Sequence, residues 1–331
     1  MSHSFRTAIT LMPHDGQVRT AVAMAKMAED AGYDDLWFAD TGCPDALTMA
    51  PLIAQATSKV RIGTAVIPVF TRSAAVLAAT AQTIQQVADG RFILGIGTSS
   101  QVMMEGWHGQ TFEKPLSRMR DTTRLMKSIF KGEKTDFDGK TISSHGYRQA
   151  PGDTPIYLAG LKPKMVEMAA NEADGVILNL FPAPALDKII SHVRAGEAAG
   201  GNQAGDAEVV CRHQVMVTDD KKAALDLLRK AFVPYYATPV YNAFLEWCGY
   251  EEEAKLIAEG WATKDREKTA QGLHDDLLQE IMIVGTQTEC QDRIRQYADQ
   301  GIHTHIITCM APDQGIQAAT LGAFAKAQFS F

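Results

Sequence analysis

An α/β (β/α)8 TIM barrel, with insertions after strands 4 and 7, is the fold class this sequence predicts, and three observations predict it. Four segments share one grammar, a helical pattern ending near a Gly and then at once a hydrophobic strand: "MAEDAGYDDLWFAD", "QQVADGRFILGIG", "NEADGVILNLF" and "YADQGIHTHIITC". Their glycines, Gly32, Gly90, Gly175 and Gly301, stand where a helix C-cap wants a left-handed residue. The following runs are rich in Val, Ile, Leu and Phe and nearly continuous, as strands buried on both faces should be. Four further runs bring the candidate strands to eight. The competing arrangement is a doubly wound open sheet. Against it, "LGIGTSS" carries Gly95 and Gly97 but has Ser100 at the third position of a dinucleotide fingerprint.

In chain order, "FRTAITLM" is the first strand, followed by a helical pattern from Val18 to Ala31. "DDLWFAD" is the second and "VRIGTAVIPV" the third, the latter leading into helix Ser73 to Val87. The third is unusual. It is rich in β-branched residues, yet small Ala65 and then Pro68 stand at its far end, and a proline cannot donate a ladder hydrogen bond. Regular pairing should fail there and the backbone should bulge into the barrel mouth. "RFILGIG", "PIYLAG", "GVILNLF", "AEVVCRHQVMVT" and "HTHIITC" complete the set. Two connections are too long for plain loops. One, about 130–150, contains "KGEKTDFDGKTIS", whose Asp138-Gly139 signals a hairpin. The other, about 232–285, is rich in aromatics, among them Tyr235, Tyr241, Trp247 and Trp261. Insertions of this kind serve as lids, binding elements or oligomer contacts. The whole chain, 1–331, reads as one domain.

The 331 residues are 46% hydrophobic and 21% charged, which is ordinary for a globular protein. A net charge of -7 argues against nucleic acid, which selects basic faces, while leaving a small anionic ligand open through local fields. No apolar run reaches the ~20 residues that cross a bilayer, and the N-terminal stretch lacks the pattern of a signal peptide. Five scattered cysteines without CxxC spacing suit a reducing cytoplasm. No membrane or nucleic-acid partner is expected, only a small-molecule substrate.

In a parallel barrel the chemistry sits at the C-terminal strand ends. Here those ends are hydroxyls, glycines and backbone, with Asp40 their only carboxylate and no Ser-His-Asp signature. Such a mouth suits a large cofactor that brings its own reactivity. In "LAGLKPKMVEMAAN", Gly160 allows close backbone approach, Pro163 opens a helix, and Lys162 and Lys164 add charge, so a phosphate could bind at this helix start. A plain helix start with solvated lysines is the alternative. His303 and His305 raise a metal reading, but the neighbouring strands offer no further inward ligands, and hydrogen bonding near the barrel floor is the better expectation. His108, in "EGWHG", and His14 are candidate proton carriers, since imidazole exchanges protons near neutral pH.

These motifs resemble the bacterial luciferase-like family of flavin- and deazaflavin-dependent oxidoreductases. The resemblance spans essentially the whole chain and is most specific in "AEDAGYDDLWFAD", "GTAVIPVFTRS" with the residues after it through "EGWHG", and "PIYLAGLKPKMVEMAANEADGVILN". "FTRS" and "EGWHG" look most like members that use coenzyme F420, a 5-deazaflavin; FMN is the alternative cofactor. The resemblance implies an oxidoreductase passing hydride between F420 and a small organic substrate. An FMN-dependent monooxygenase and a non-catalytic ligand-binding relative are the other readings. It further implies that Asp40 and Thr41 lie near the ring edge and that Ala65 and Val66 form a bulge beneath the ring. The peptide bond between those two residues is then expected to be cis. Thr98 and Ser99 would contact the cofactor from the fourth strand, and Ala159, Gly160, Leu161, Lys162 and Pro163 would hold its phosphate. A homodimer is implied as well. Two departures stand out: several deazaflavin members have His where this chain has Thr41, and the glucose-6-phosphate dehydrogenases have an acidic Glu where it has Ser100. Neither that sugar-phosphate activity nor its acid–base pair is therefore implied.

Overall fold

The computed structural model describes residues 3–13 and 15–331. Among them, eight parallel strands close into a barrel: β1 (Arg6–Thr10), β2 (Asp35–Phe38), β3 (Arg61–Thr64), β4 (Phe92–Gly97), β5 (Ile156–Ala159), β6 (Gly175–Asn179), β7 (Glu208–Val217) and β8 (Thr304–Thr308). The ring shuts where Arg6 of β1 meets Thr304 of β8 and Ile9 meets Ile307. Helices follow the strands on the outside, beginning with Val18–Asp30 after β1 and Ala46–Ala56 after β2. Three of the four expected C-cap glycines are left-handed: Gly32, Gly90 and Gly301 have φ of +83°, +79° and +103°. Gly175 is not. The helix before it ends at Glu172 with Ala173 as an extended cap, and Gly175 is the first residue of β6. A Cβ there would stand 2.7 Å from the Tyr157 ring and 2.8 Å from the Glu208 carbonyl, so close packing selects this glycine.

Alternate residues on each strand point inward, and they form three levels. The lowest is ionic. The Arg61 guanidinium reaches Asp35 at 2.6 Å and Glu208 at 2.8 Å, Arg6 also bonds Asp35 at 2.6 Å, and the Tyr157 hydroxyl donates to Glu208 at 2.6 Å. The Thr304 hydroxyl is a further donor to Glu208. Burial by itself would raise the Glu208 carboxyl, but Arg61 overrides it and holds the group at about 2. Above this floor is an apolar plug of Ala8, Trp37, Ile93, Tyr157, Ile177, Val210 and Ile306. The uppermost level opens at the C-terminal strand ends and forms the mouth.

The third strand breaks as its sequence suggests. Gly63 pairs with Ile93 and, after the break, Ile67 pairs with Ile96, so β3 spends four residues where β4 spends three. That surplus residue is a β-bulge. Thr64 fills the broken ladder with its side chain, Oγ1 accepting the Gly95 N–H and donating to the Gly95 carbonyl, each at 2.9 Å. The Ala65–Val66 peptide bond is cis. Pro68 lies past the bulge opposite Gly97, in a two-residue stretch where the chain rejoins β4.

The two long connections leave from opposite ends of the barrel. The first is the hairpin Asp136–Asp138 with Ser143–His145, which follows helix Pro115–Phe130 and precedes β5. It therefore starts on the side away from the mouth, and its turn folds back along that helix, where Thr141 donates to Asp121 through both N–H and hydroxyl at 2.7 Å. The second follows β7. Its five helices, from Lys221–Tyr236 to Asp275–Ile281, end in a short strand, Ile283–Gly285, that pairs with the upper half of β7. They share a second apolar core containing Leu225, Phe232, Tyr236, Leu245, Ile257 and Leu277. The Tyr236 hydroxyl bonds the Leu180 carbonyl at 2.9 Å, which seats this insertion beside the β6 end of the mouth.

Candidate active site

Small side chains line one side of the mouth. Ala65 and Val66 of the bulge and Ala159 of β5 are half-buried over the apolar plug. Gly97 completes this wall, because a Cβ there would overlap Val66 Cγ2 and lie 3.5 Å from the Ala159 methyl. The result is a shallow apolar bed built from β3, β4 and β5. Its shape comes from what those positions lack.

Asp40 stands at the bed's edge, its N–H donating to the Val66 carbonyl at 3.3 Å. Its carboxylate pairs with the Arg72 guanidinium at 2.6 Å, and Arg72 also grips Asp45, the N-cap of the next helix. An aspartate so tied is fixed in position, and it shares the one guanidinium with Asp45. Thr41 follows and is exposed. Thr98 and Ser99 are half-buried above β4, Ser99 left-handed with φ +59° and its hydroxyl 3.4 Å from Met103 Sδ. His108 comes after a short wide-turned helix, Val102–Trp107, and is exposed, with no side-chain hydrogen bond among the described residues. The structure thus brings Asp40 against the bulge but does not draw His108 into the same cluster. His14 lies outside the described residues.

Beyond Ala159, the Gly160 N–H bonds the Ile177 carbonyl at 3.1 Å and the chain enters helix Pro163–Glu172. A Cβ on Gly160 would press to 2.9 Å from Val166 Cγ2 and 3.0 Å from its Cα, so only glycine lets the turn lie this close to the helix. Lys162 is the N-cap and supplies no side-chain cap, in contrast to Asp45 and Ser73 on helices Ala46–Ala56 and Ala74–Val87. Within the described residues, no backbone partner takes the N–H groups of Leu161, Lys162 and Lys164. This end is chemically ready for an anion.

The opposite side of the mouth is polar, and sequence reasoning missed most of it. Thr10 and Thr308 share a hydrogen bond at 2.5 Å, and Arg212 Nε donates to Thr308 Oγ1 at 3.2 Å. Arg212 and Gln214 continue the inward face of Val210, and Asn179 pairs in register with Arg212. The Asn179 amide faces the Tyr241 hydroxyl of the insertion. Period-two alternation along "VCRHQ" was the available signal. By the same alternation Cys211 and His213 turn outward. His213 Nε2 lies 3.2 Å from His305 Nδ1, and His303 Nδ1 accepts the Val209 N–H at 2.9 Å. Burial draws His213 down to about 3 and His305 well below the ordinary range, so both stay neutral. The "HTH" histidines pack and hydrogen-bond outside the mouth.

Residues 1–304 match the family described as luciferase-like monooxygenase. This chain belongs to that family. Among its relatives is the 5,10-methylenetetrahydromethanopterin reductase of Methanolobus tindarius, 27% identical over 299 residues that cover 89% of this chain and 91% of the relative. Two solved structures share the luciferase-like fold. The coenzyme F420-dependent tetrahydromethanopterin reductase of Methanopyrus kandleri superposes with a TM-score of 0.80 at 19% identity, over 97% of this chain and 98% of that one. The oxygenating component of 3,6-diketocamphane monooxygenase from Pseudomonas putida, in complex with FMN, gives 0.72 at 16% identity, over 98% and 97%. The barrel is thus the luciferase-like one.

Proposed function

We propose that this chain is an oxidoreductase that passes hydride between coenzyme F420 and a small organic substrate. The observation that carries the reading is the mouth's asymmetry: an apolar bed on β3, β4 and β5 faces a polar wall on β6, β7 and β8, with an uncapped helix start beside the bed. A flat ring system suits the bed and a phosphate suits the helix start. The buried Oδ1 of Asn179 and both amide atoms of Gln214 lack partners in the described structure, so the polar wall is equipped for a further molecule.

Ala65, Val66, Gly97 and Ala159 would support the ring, with Thr98 and Ser99 above them. Gly160, Leu161, Lys162 and Pro163 would hold the phosphate. A bound deazaflavin supplies two-electron chemistry, since carbon replaces the flavin N5. The chain's own part is to orient one ring face, exclude water and handle a proton. Asp40, held by Arg72, fixes the ring edge together with Thr41, and His108 and His14 are the proposed proton carriers. The five-helix insertion closes the β6 side against water.

Titration decides between cofactors. Oxidised F420 is expected to bind with micromolar affinity, read by fluorescence quenching, with FMN weaker; the reverse order would move the assignment to an FMN-dependent monooxygenase. Lys162→Ala should weaken F420 binding by about 1–2 kcal/mol, the scale of a charge-assisted hydrogen bond. An unchanged dissociation constant would leave the phosphate to the backbone N–H groups alone. The proposal includes one luciferase-like domain over the whole chain, a cytoplasmic location and a homodimer. No helix of the described residues is long and apolar enough to cross a membrane. Sedimentation at twice the chain mass is the expected result for the dimer, and a single-chain mass would exclude it.

A further inference from the structure

Arg212 is a half-buried cation at the barrel mouth, and no carboxylate among the described residues pairs with it. Its hydrogen-bonding partners are the Thr308 hydroxyl at 3.2 Å and the Met12 sulfur at 3.7 Å, which leave most of a five-donor guanidinium unused. The other interior arginines differ: Arg6 and Arg61 at the floor are both matched by Asp35, and Arg61 by Glu208 as well. Burial pulls Arg212 below the ordinary arginine range, the signature of a cation whose desolvation no anion repays.

Gln214, two residues along the same inward face, is only 1% exposed, and both its Oε1 and Nε2 are unpartnered. Asn179, opposite Arg212 in register, has an unpartnered buried Oδ1. Buried side-chain amides without a partner are uncommon in folded proteins. They converge with Arg212 on one side of the mouth. In an eight-stranded barrel β7 lies four strands from β3, so this wall faces the Ala65–Val66 bulge across the opening.

We propose that Arg212 and Gln214 form the substrate subsite and that the substrate carries a carboxylate. The guanidinium takes two carboxylate oxygens in its planar fork, and the Gln214 amide N–H supplies a further donor. The Asn179 carbonyl oxygen accepts from a hydroxyl or amine elsewhere on the substrate. The inference rests on the proposed function for the word substrate; the anion site itself stands on the geometry alone.

The test titrates the chain, with and without oxidised F420, with carboxylates from propionate to benzoate and with the matching amides. Binding is read by calorimetry and by melting temperature. The expected result is that at least one carboxylate binds roughly tenfold or more tighter than its amide, the scale of one charge-assisted contact. Arg212→Gln should abolish that preference while keeping the wild-type affinity for F420. Arg212→Lys should retain part of it, because lysine keeps the charge and loses the fork, and this variant also serves if the glutamine variant does not fold. Equal binding of every carboxylate and its amide would overturn the proposal. So would an Arg212→Gln variant that loses F420 as severely as it loses carboxylate, since the arginine would then serve the cofactor. If the wild type prefers carboxylates but does not bind F420, the cofactor assignment falls and the anion site stands.

Discussion

Gly97→Val is expected to weaken F420 binding by roughly a hundredfold or more, about 2.7 kcal/mol. Even the first added carbon would overlap Val66 Cγ2, and the two methyls beyond it must go into the bed or force the bulge aside. Either outcome removes the flat surface between the bulge and Ala159. The substitution sits on the inward face of β4 at the mouth, above the apolar plug, so much of its cost should be in binding. Fluorescence titration and thermal melting on the same sample separate the two. A variant that melts early yet binds F420 as the wild type does would show that the ring does not lie on this bed.

The largest effect on stability is expected at the floor. Arg61→Met leaves Asp35 and Glu208 facing each other without their shared cation, and breaking a buried pair of this kind costs about 3–5 kcal/mol. The pH dependence follows from Glu208, whose folded carboxyl is held at about 2 against an ordinary 4.5. A depressed carboxyl contributes stability that is present above its unfolded value and lost as pH falls through the folded one. The wild type should therefore lose about 3 kcal/mol from this group between pH 4.5 and 2. Arg61→Met should instead be relieved by acid, because protonation removes the repulsion. Urea unfolding from pH 7 to pH 3 measures both slopes; parallel slopes would contradict this role for Arg61.

Much of the barrel is legible in the chain because its signals are local. A glycine after a helix and a β-branched run after the glycine are adjacent in sequence, and Gly32, Gly90 and Gly301 carry that logic correctly. Gly175 misled because its constraint is tertiary: the Tyr157 ring and the Glu208 carbonyl, from strands on either side, occupy the space. The bulge could be anticipated because Ala65 and Pro68 break a strand pattern within four residues. Partnerships over distance could not. Nothing near Asp40 announces Arg72, 32 residues on, and the floor joins Arg61 to Glu208 across 147. Arg212 was hidden for another reason. "AEVVCRHQVMVT" reads as a strand buried on both faces, and its polar residues gain meaning only once barrel closure divides mouth from outer layer.

In the proposed arrangement the mouth is divided, with the cofactor on the small-residue wall and the substrate on the polar one. A crystal structure of the chain with oxidised F420 checks this division. The tricyclic ring is expected over Ala65, Val66 and Gly97, its phosphate at Gly160 to Pro163, with Arg212 and Gln214 left open on the far side. A ring lying against Arg212 and Gln214, with its phosphate away from the Gly160 turn, would contradict it.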